Sequence, residues 1–363
     1  MQTRINDIPV TKAFLPPFDE YCDQVKRAFD NAWLTNRGPL VRELEEELLD
    51  YLGVERLLLM CNGTLPIQIA IRLVEEASEV ITTPFSYVAT SSAVVWEHYR
   101  PVFVDIEPDT LTIDPSKIEA AITPRTKCIL GTHVFGNPCD VDAIHEIAQR
   151  HGLFVLYDAA HCFGVKFNGR SIFSYGDVST CSFHATKLFH TAEGGAVITS
   201  NPEYLERMTL MHSFGHIGPD NYYEVGINAK MSELQAAMGL TVMQYVDGII
   251  DSRRDVVNAY KLMATSLGLE TQSIRLGTEW NYSYFPVIYP CESTLKRAQL
   301  HFNSLGVFPR RYFYPSLNTL PFFNPVRMPI SESVASRVMC LPLYAFMSSS
   351  EIDRVISALE SSL

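Results

Sequence analysis

Apolar residues recur along the chain in two spacings, and the two alternate through its first two thirds. In residues 41–52 (VRELEEELLDYL), Leu44, Leu48, Leu49 and Leu52 return at helical intervals, which predicts an amphipathic helix. Residues 64–76 follow the Asn62-Gly63 turn and predict a second helix opening at Thr64 or just after it. Between the helical stretches lie short runs rich in β-branched residues: VITT at 80–83, VFVDI at 102–106, CIL at 128–130, LFVLYD at 153–158 and AVITS at 196–200. VDAIHEIAQRHG at 141–152 reads as another helix. Strand, helix, strand at this spacing predicts βαβ units and a mainly parallel sheet. The runs are apolar almost throughout, as expected of strands covered on both faces.

Past about residue 245 the alternation loosens. A helix is expected at about 250–266, then aromatic strand-like text (NYSYFPVIYP, 281–290), then helices at 293–305 and 349–361. This pattern predicts a large unit over 1–247, N-terminal segment included, and a smaller α/β unit over 248–363. A length of 363 residues also suits two units better than one core.

Composition narrows the classes of function. Hydrophobic residues at 47% and charged residues at 19% are ordinary for a globular chain. The net charge of −12 argues against a general nucleic-acid or acidic-membrane binder, which needs a basic footprint. One anionic ligand is still compatible, because backbone N–H groups alone can build a phosphate site. Eight scattered cysteines without a C-x-x-C pair predict neither a disulfide framework nor a metal site. The start, MQTRINDIPV, lacks an apolar signal core, and no apolar run reaches membrane-spanning length. A cytoplasmic enzyme is the expectation.

In open α/β sheets ligands bind beyond the carboxyl ends of the strands, and three segments put reactive groups there. LFVLYDAAH ends its strand at Asp158, whose carboxylate either caps a following helix or pairs with a buried cation. TCSFHATKLFHTAEGGAV carries Lys187 among Phe183, Ala185 and Phe189, ahead of Gly194-Gly195. An amine in apolar surroundings is available as a nucleophile, because its charged form is poorly solvated there. CNGTLPI is a turn feeding a helix, either a plain turn or an anion site. Together they supply the parts that pyridoxal phosphate needs: a phosphate anchor, an anion for the ring nitrogen and an amine for covalent attachment.

With these residues in view, the sequence resembles the DegT/DnrJ/EryC1/StrS family of pyridoxal-phosphate-dependent nucleotide-sugar aminotransferases. The resemblance runs from WLTNRGP (33–39) to CLPLY (340–344) and is strongest at NGT (62–64), PFSYVAT (84–90), YDAAHCFG (157–164), SFHATK (182–187), EGGA (193–196) and NAKMSELQAA (228–237). It implies the fold-type I architecture of aspartate aminotransferase, a mainly parallel seven-stranded sheet with a smaller C-terminal α/β domain. It also implies that Lys187 is catalytic and carries the cofactor, that Asp158 pairs with its ring nitrogen, and that His161 lies near its ring hydroxyl. Gly63, Thr64 and Ser182 would contact the phosphate, and Tyr87 would lie against the ring face. Asn228 would reach the phosphate in the partner subunit, which makes the expected assembly a homodimer with shared active sites.

By the same resemblance the amino donor is L-glutamate, pyridoxamine phosphate is the intermediate cofactor form, and the acceptor is a nucleotide-linked keto sugar. The short chain, FLPP near the start, WLTNRGP and GINAKMSELQAAMG look most like enzymes acting on dTDP-4-keto-6-deoxyglucose. Such enzymes make a dTDP-4-amino-4,6-dideoxy sugar for surface polysaccharide. A 3-keto isomer or another cyclic ketone is the competing acceptor, and a non-catalytic protein on the same fold is a third reading. Related sugar dehydratases carry histidine where Lys187 stands, so the lysine favours transamination. Arg310, Arg311 and Tyr312 (FPRRYFYP) either bind the diphosphate or donor carboxylate, or are a solvated strand end. Glu193 and Lys230 either face the substrate or form ordinary salt bridges. His190 either adjusts sugar preference or packs, and His133, Asn137 and Pro138 read as a structural loop.

Overall fold

The β-branched runs assemble into a sheet whose strands each feed two cores. The computed structural model describes residues 7–363, so most of the opening segment MQTRINDIPV lies outside the described residues. The sheet has seven strands in the order Leu57–Met60, Gly195–Ile198, Val178–Ser182, Phe154–Asp158, Thr126–Thr132, Glu79–Thr82, Arg100–Phe103. Gly195–Ile198 runs antiparallel to both neighbours, and the remaining pairings are parallel. Side chains of successive strand residues point to opposite faces. Ile129, Val155 and Tyr157 therefore enter one core with the helices Pro39–Leu52, Val141–His151 and Glu233–Met243. Cys128, Leu130 and Leu156 enter another, with Leu65–Ile71, Val88–Trp96 and Pro202–Met211. Both faces are covered, which explains why most positions in the runs are apolar.

The helix predicted at 41–52 opens at Pro39, a residue preset for a first turn, and ends at Leu52. The backbone N–H groups of Leu40 and Val41 at its start donate to the Glu233 carboxylate at 2.8 and 3.0 Å. Glu233 is fully buried, so its position in NAKMSELQAA ties that motif to WLTNRGP. Val141–His151 ends where expected, with Gly152 in the left-handed region at φ 63°. The helix expected over 64–76 is shorter, Leu65–Ile71. Leu73 and Val74 bond three residues back, to Ala70 and Ile71, and the tightened turn then yields to the strand at Glu79.

The C-terminal part builds a second core. A three-stranded antiparallel sheet, Glu270–Thr271, Pro286–Ile288 and Val338–Cys340, packs with the helices Val246–Ser266, Glu292–Ser304 and Ser349–Glu360. Of NYSYFPVIYP only Pro286–Ile288 is strand: Tyr282 lies in the left-handed region at φ 56°, which breaks an extended run, and Asn281 and Ser283 donate to the carbonyl of His161. The start of the chain also joins this part: Ile8–Pro9 pairs in parallel with Val307–Phe308, and Ile8 is buried in the second core. We propose the division at 247/248 as the boundary of two units, with the helix Val246–Ser266 running across it. Within that helix Arg253, 3% exposed, donates to the carbonyls of Tyr282, Ser283 and Leu343 and so fixes the segment leading to Tyr284.

Candidate active site

A cavity of ≈ 320 Å³ opens at the carboxyl ends of the central strands. Side chains drawn from the segments 62–64, 86–90, 158–161 and 182–187 line it from the larger core, and Tyr284, Arg310, Tyr312 and Phe313 line it from the C-terminal part.

Asp158 is the last residue of its strand and is 6% exposed. Its Oδ2 accepts from the Thr90 hydroxyl at 2.6 Å, and its Oδ1 accepts from the Ala160 N–H at 3.1 Å. Its partners are thus a hydroxyl and a backbone amide, neither a capped helix nor a cation. A buried carboxylate in that state is a ready receptor for a cationic ligand group.

His161 stands beside it, its ring parallel to that of Phe313 at 5.9 Å between centroids. Its Nδ1 accepts the Phe135 N–H at 3.1 Å, which assigns the ring proton to Nε2. Burial, and secondarily the Lys187 charge, hold this histidine well below its usual pKa, so it is neutral.

Lys187 sits on the loop between the strands Val178–Ser182 and Gly195–Ile198. Bonds from Phe183 N–H to Gly194 O (2.8 Å) and from Ala185 N–H to Ala192 O (2.7 Å) close the base of that loop. Phe183 and Phe189 pack edge to face at 5.0 Å, and Phe189 stacks on Phe163 at 4.3 Å. His190 donates from Nε2 to the carbonyl of Phe14 at 2.6 Å, so it clasps the loop to the N-terminal segment and lies outside the cavity lining. Rigidly anchored on this side, the loop presents the Lys187 ammonium to the cavity, 5.8 Å from the centre of the Tyr284 ring.

The turn Asn62–Thr64 forms the opposite wall. A Cβ on Gly63 would lie 2.6 Å from both Cβ and Oγ of Ser182, so only glycine lets the two segments approach. The N–H groups of Thr64 and Leu65 are already taken by the Asn62 side chain, each at 2.9 Å. The hydroxyls of Thr64 and Ser182 are among the polar groups this wall offers an anion. Tyr87 precedes the helix Val88–Trp96 and exposes its ring, at 59%, along the cavity edge.

Of the substrate candidates, the cavity brings together Glu193, Arg310 and Tyr312. Glu193 lies 3.5 Å from Nε2 of His184, and burial pushes the Tyr312 hydroxyl up to about 12. Arg311 points elsewhere, onto Glu292 at 3.0 Å and the carbonyl of Ser336 at 2.9 Å. Lys230 lies outside the lining with its ammonium 4.6 Å from the Phe214 ring, and burial lowers its pKa. Asn228 is exposed beyond the cavity, in a bridge with Ser213. Among the described residues no group of three His, Cys, Asp or Glu side chains is arranged for a metal.

Sequence reading passed over Thr90, Ser86, Thr132 and Tyr284, all in the lining. Thr90 lies one helical turn beyond Tyr87, a spacing that marks a shared face. Tyr284 carries no comparable signal within its aromatic run.

His133, Asn137 and Pro138 hold structure. Asn137 donates to the carbonyls of Thr110 and Ser273 and accepts from the Arg275 N–H, and Arg275 also reaches the Pro138 carbonyl. His133 accepts the Cys139 N–H at Nδ1 and stacks on Tyr157 at 4.4 Å. Burial first, and then the Arg275 charge, depress its pKa to about 3. The folded chain keeps His133 neutral, whereas the unfolded chain takes up a proton below about 6.5. Its stability contribution is therefore complete above that value and is lost as pH falls towards about 3. Between pH 6.5 and 5 this one group should cost about 2 kcal/mol. Urea unfolding at the two pH values measures the loss, which His133→Asn should reduce by about that amount. An equal loss in the variant would assign the effect to other groups.

An α/β sheet with an amine and a buried carboxylate at its carboxyl edge defines a transferase of the pyridoxal-phosphate fold, and solved structures share it. The DesI protein, crystallised with its TDP-sugar product, superposes with a TM-score of 0.93 at 34% identity, covering 99% of this chain and 93% of that one. The chain belongs to the DegT/DnrJ/EryC1/StrS aminotransferase family, whose profile matches residues 19–360. Aminotransferases of this family use pyridoxal phosphate, and a protein of the same fold from Streptococcus pneumoniae, Spr1654, is known in its PLP and PMP forms. The dTDP-4-amino-4,6-dideoxy-D-glucose transaminase of Shigella dysenteriae is 39% identical over 358 residues, 96% of this chain and 97% of that protein. The GDP-perosamine synthase of Caulobacter vibrioides is 30% identical over 99% of this chain and 100% of its own. No helix among the described residues is long and apolar enough to cross a membrane.

Proposed function

We propose that this enzyme binds pyridoxal phosphate and transfers the amino group of L-glutamate to dTDP-4-keto-6-deoxyglucose, giving a dTDP-4-amino-4,6-dideoxy sugar in the cytoplasm. The observation that carries the reading is one cavity holding an anchored lysine amine and a buried carboxylate that lacks a cation. Asp158 fits the protonated ring nitrogen, because its oxygens have only neutral partners within the chain. The Nε2–H of His161 suits the ring hydroxyl oxygen, and the open face of Tyr87 suits the ring. Thr64 and Ser182 offer hydroxyls to the phosphate, with Gly63 clearing the space between them.

When bound, the cofactor supplies the electron sink that stabilises a carbanion next to nitrogen. Lys187 would hold it covalently, and its amine, when free, would accept and donate the proton that the transfer requires. Neutral His161 would donate one hydrogen bond and adds no second positive charge to the cavity. Arg310 is the arginine placed for a diphosphate or a donor carboxylate, and Tyr312 and Glu193 are placed for the sugar. Asn228, outside its own cavity, suits the phosphate site of a second copy in a homodimer. Neither a nucleic acid nor a membrane takes part.

The dTDP-linked acceptor is supported by the Shigella relative and by the DesI structure with its TDP-sugar product. Amination at C3 has its own support: a Pseudomonas aeruginosa relative, 32% identical over 89% of the chain, is a UDP-2-acetamido-2-deoxy-3-oxo-D-glucuronate aminotransferase. The test mixes protein, pyridoxal phosphate, L-glutamate and dTDP-4-keto-6-deoxyglucose and identifies the product by mass and NMR. The expected product carries nitrogen at C4, with 2-oxoglutarate released in equal amount. A completed half-reaction with glutamate but no amino sugar would overturn the acceptor and keep the aminotransferase.

A further inference from the structure

Three hydroxyls form a chain that ends on Asp158. Thr90 donates to its Oδ2 at 2.6 Å, Ser86 Oγ lies 2.7 Å from Thr90 Oγ1, and Thr132 donates to Ser86 at 3.3 Å. Each of the three residues is at most 2% exposed. Thr90 has a single hydroxyl hydrogen, and Asp158 takes it. The Ser86–Thr90 bond therefore runs from Ser86 to Thr90, and all three O–H dipoles point towards the carboxylate. Bonds in such a chain polarise one another in a low-dielectric interior. The sheet register sets up this arrangement, since Thr132 lies opposite Asp158 on neighbouring strands. Ser86 and Thr90 arrive from the turn and helix that follow the next strand, Glu79–Thr82.

We propose that Thr90, backed by Ser86 and Thr132, is a positioning residue that sets how a proton is shared between Asp158 and the cofactor's ring nitrogen. The proposal rests on the reading of Asp158 as the partner of that nitrogen. A carboxylate oxygen already engaged by a strong donor competes less well for a second proton. With the chain intact the proton stays on the ring, and the ring keeps the positive charge that makes it an electron sink. Without the Thr90 hydroxyl the proton moves towards Asp158, and the carboxylate loses the bond that fixes its plane.

The test uses pyridoxamine phosphate labelled with nitrogen-15 in the ring, bound without a covalent link to wild type, Thr90→Val, Thr90→Ser and Ser86→Ala. In wild type the ring resonance should sit at the protonated position. In Thr90→Val it should move towards the unprotonated position, with the dissociation constant raised about tenfold. Thr90→Ser should restore both, and Ser86→Ala should move the resonance in the same direction by less. A Thr90→Val resonance that coincides with wild type overturns the proposal, as does a shift that Thr90→Ser fails to reverse. An unmoved resonance in Ser86→Ala overturns the part assigned to the chain behind Thr90. If Thr90→Val does not fold, Ser86→Ala and Thr90→Ser decide the matter. Wild-type protein that does not bind pyridoxamine phosphate would instead overturn the reading of the site itself.

Discussion

Lys187→Ala is expected to lower turnover by about a thousandfold or more, since it removes both the covalent anchor and the group that moves the proton. The fold should survive. The loop is held by Phe183, Phe189 and the His190 clasp, and none of these contacts uses the lysine ammonium. The variant should be folded by circular dichroism and should still take up pyridoxamine phosphate through Asp158, Thr64 and Ser182. It should lack the visible absorbance of lysine-bound pyridoxal phosphate, and small primary amines added to the assay should restore part of the rate. Turnover near the wild-type value would mean that another group carries the cofactor and moves the proton.

Asp158→Asn should produce the second largest loss, on the order of a hundredfold to a thousandfold in the glutamate half-reaction, through removal of a preorganised charge. The amide is nearly the same shape and its oxygen can still accept from Thr90, while its NH2 group cannot accept the Ala160 N–H and that one bond is lost. Its charge changes too: a neutral amide does not hold the ring nitrogen in its protonated state. The variant should therefore bind cofactor more weakly and convert it slowly when mixed rapidly with glutamate, with Lys187 still attached to it. A half-reaction at the wild-type rate would remove Asp158 from the chemistry and, with it, any role for the hydroxyls behind it.

Much of the fold could be read from the chain because each strand core is apolar and each long helix is amphipathic. The segments that escaped lack those marks. Leu57–Met60 is LLLM, without a β-branched residue, and reads equally well as a helix. Val178–Ser182 is VSTCS, polar in sequence yet nearly central in the sheet, where Ser179 and Thr180 are buried. Val88–Trp96 and Glu233–Met243 scatter apolar and polar residues around their circumference, so no face stands out.

The site divides in the same way. Lys187 and Asp158 were legible because a lone cation and a strand-end carboxylate contrast with apolar neighbours. The hydroxyl chain was not, because Ser86, Thr90 and Thr132 come from different elements and meet only through sheet register. Arg310 and Arg311 looked equivalent as a pair, yet their side chains leave an extended backbone on opposite sides, and one faces the cavity while the other faces Glu292.

The pairing of Ile8–Pro9 with Val307–Phe308 has a consequence for the order in which the enzyme is made. The strand Ile8–Pro9 finds its neighbour Val307–Phe308 only after the intervening residues have been synthesised. Until then Ile8 has no core to enter, and the core it will join lacks one of its side chains. Contacts so distant along the chain are slow to form and reward the chain late. The nascent protein should thus complete its seven-stranded sheet while Ile8–Pro9 still waits for Val307–Phe308.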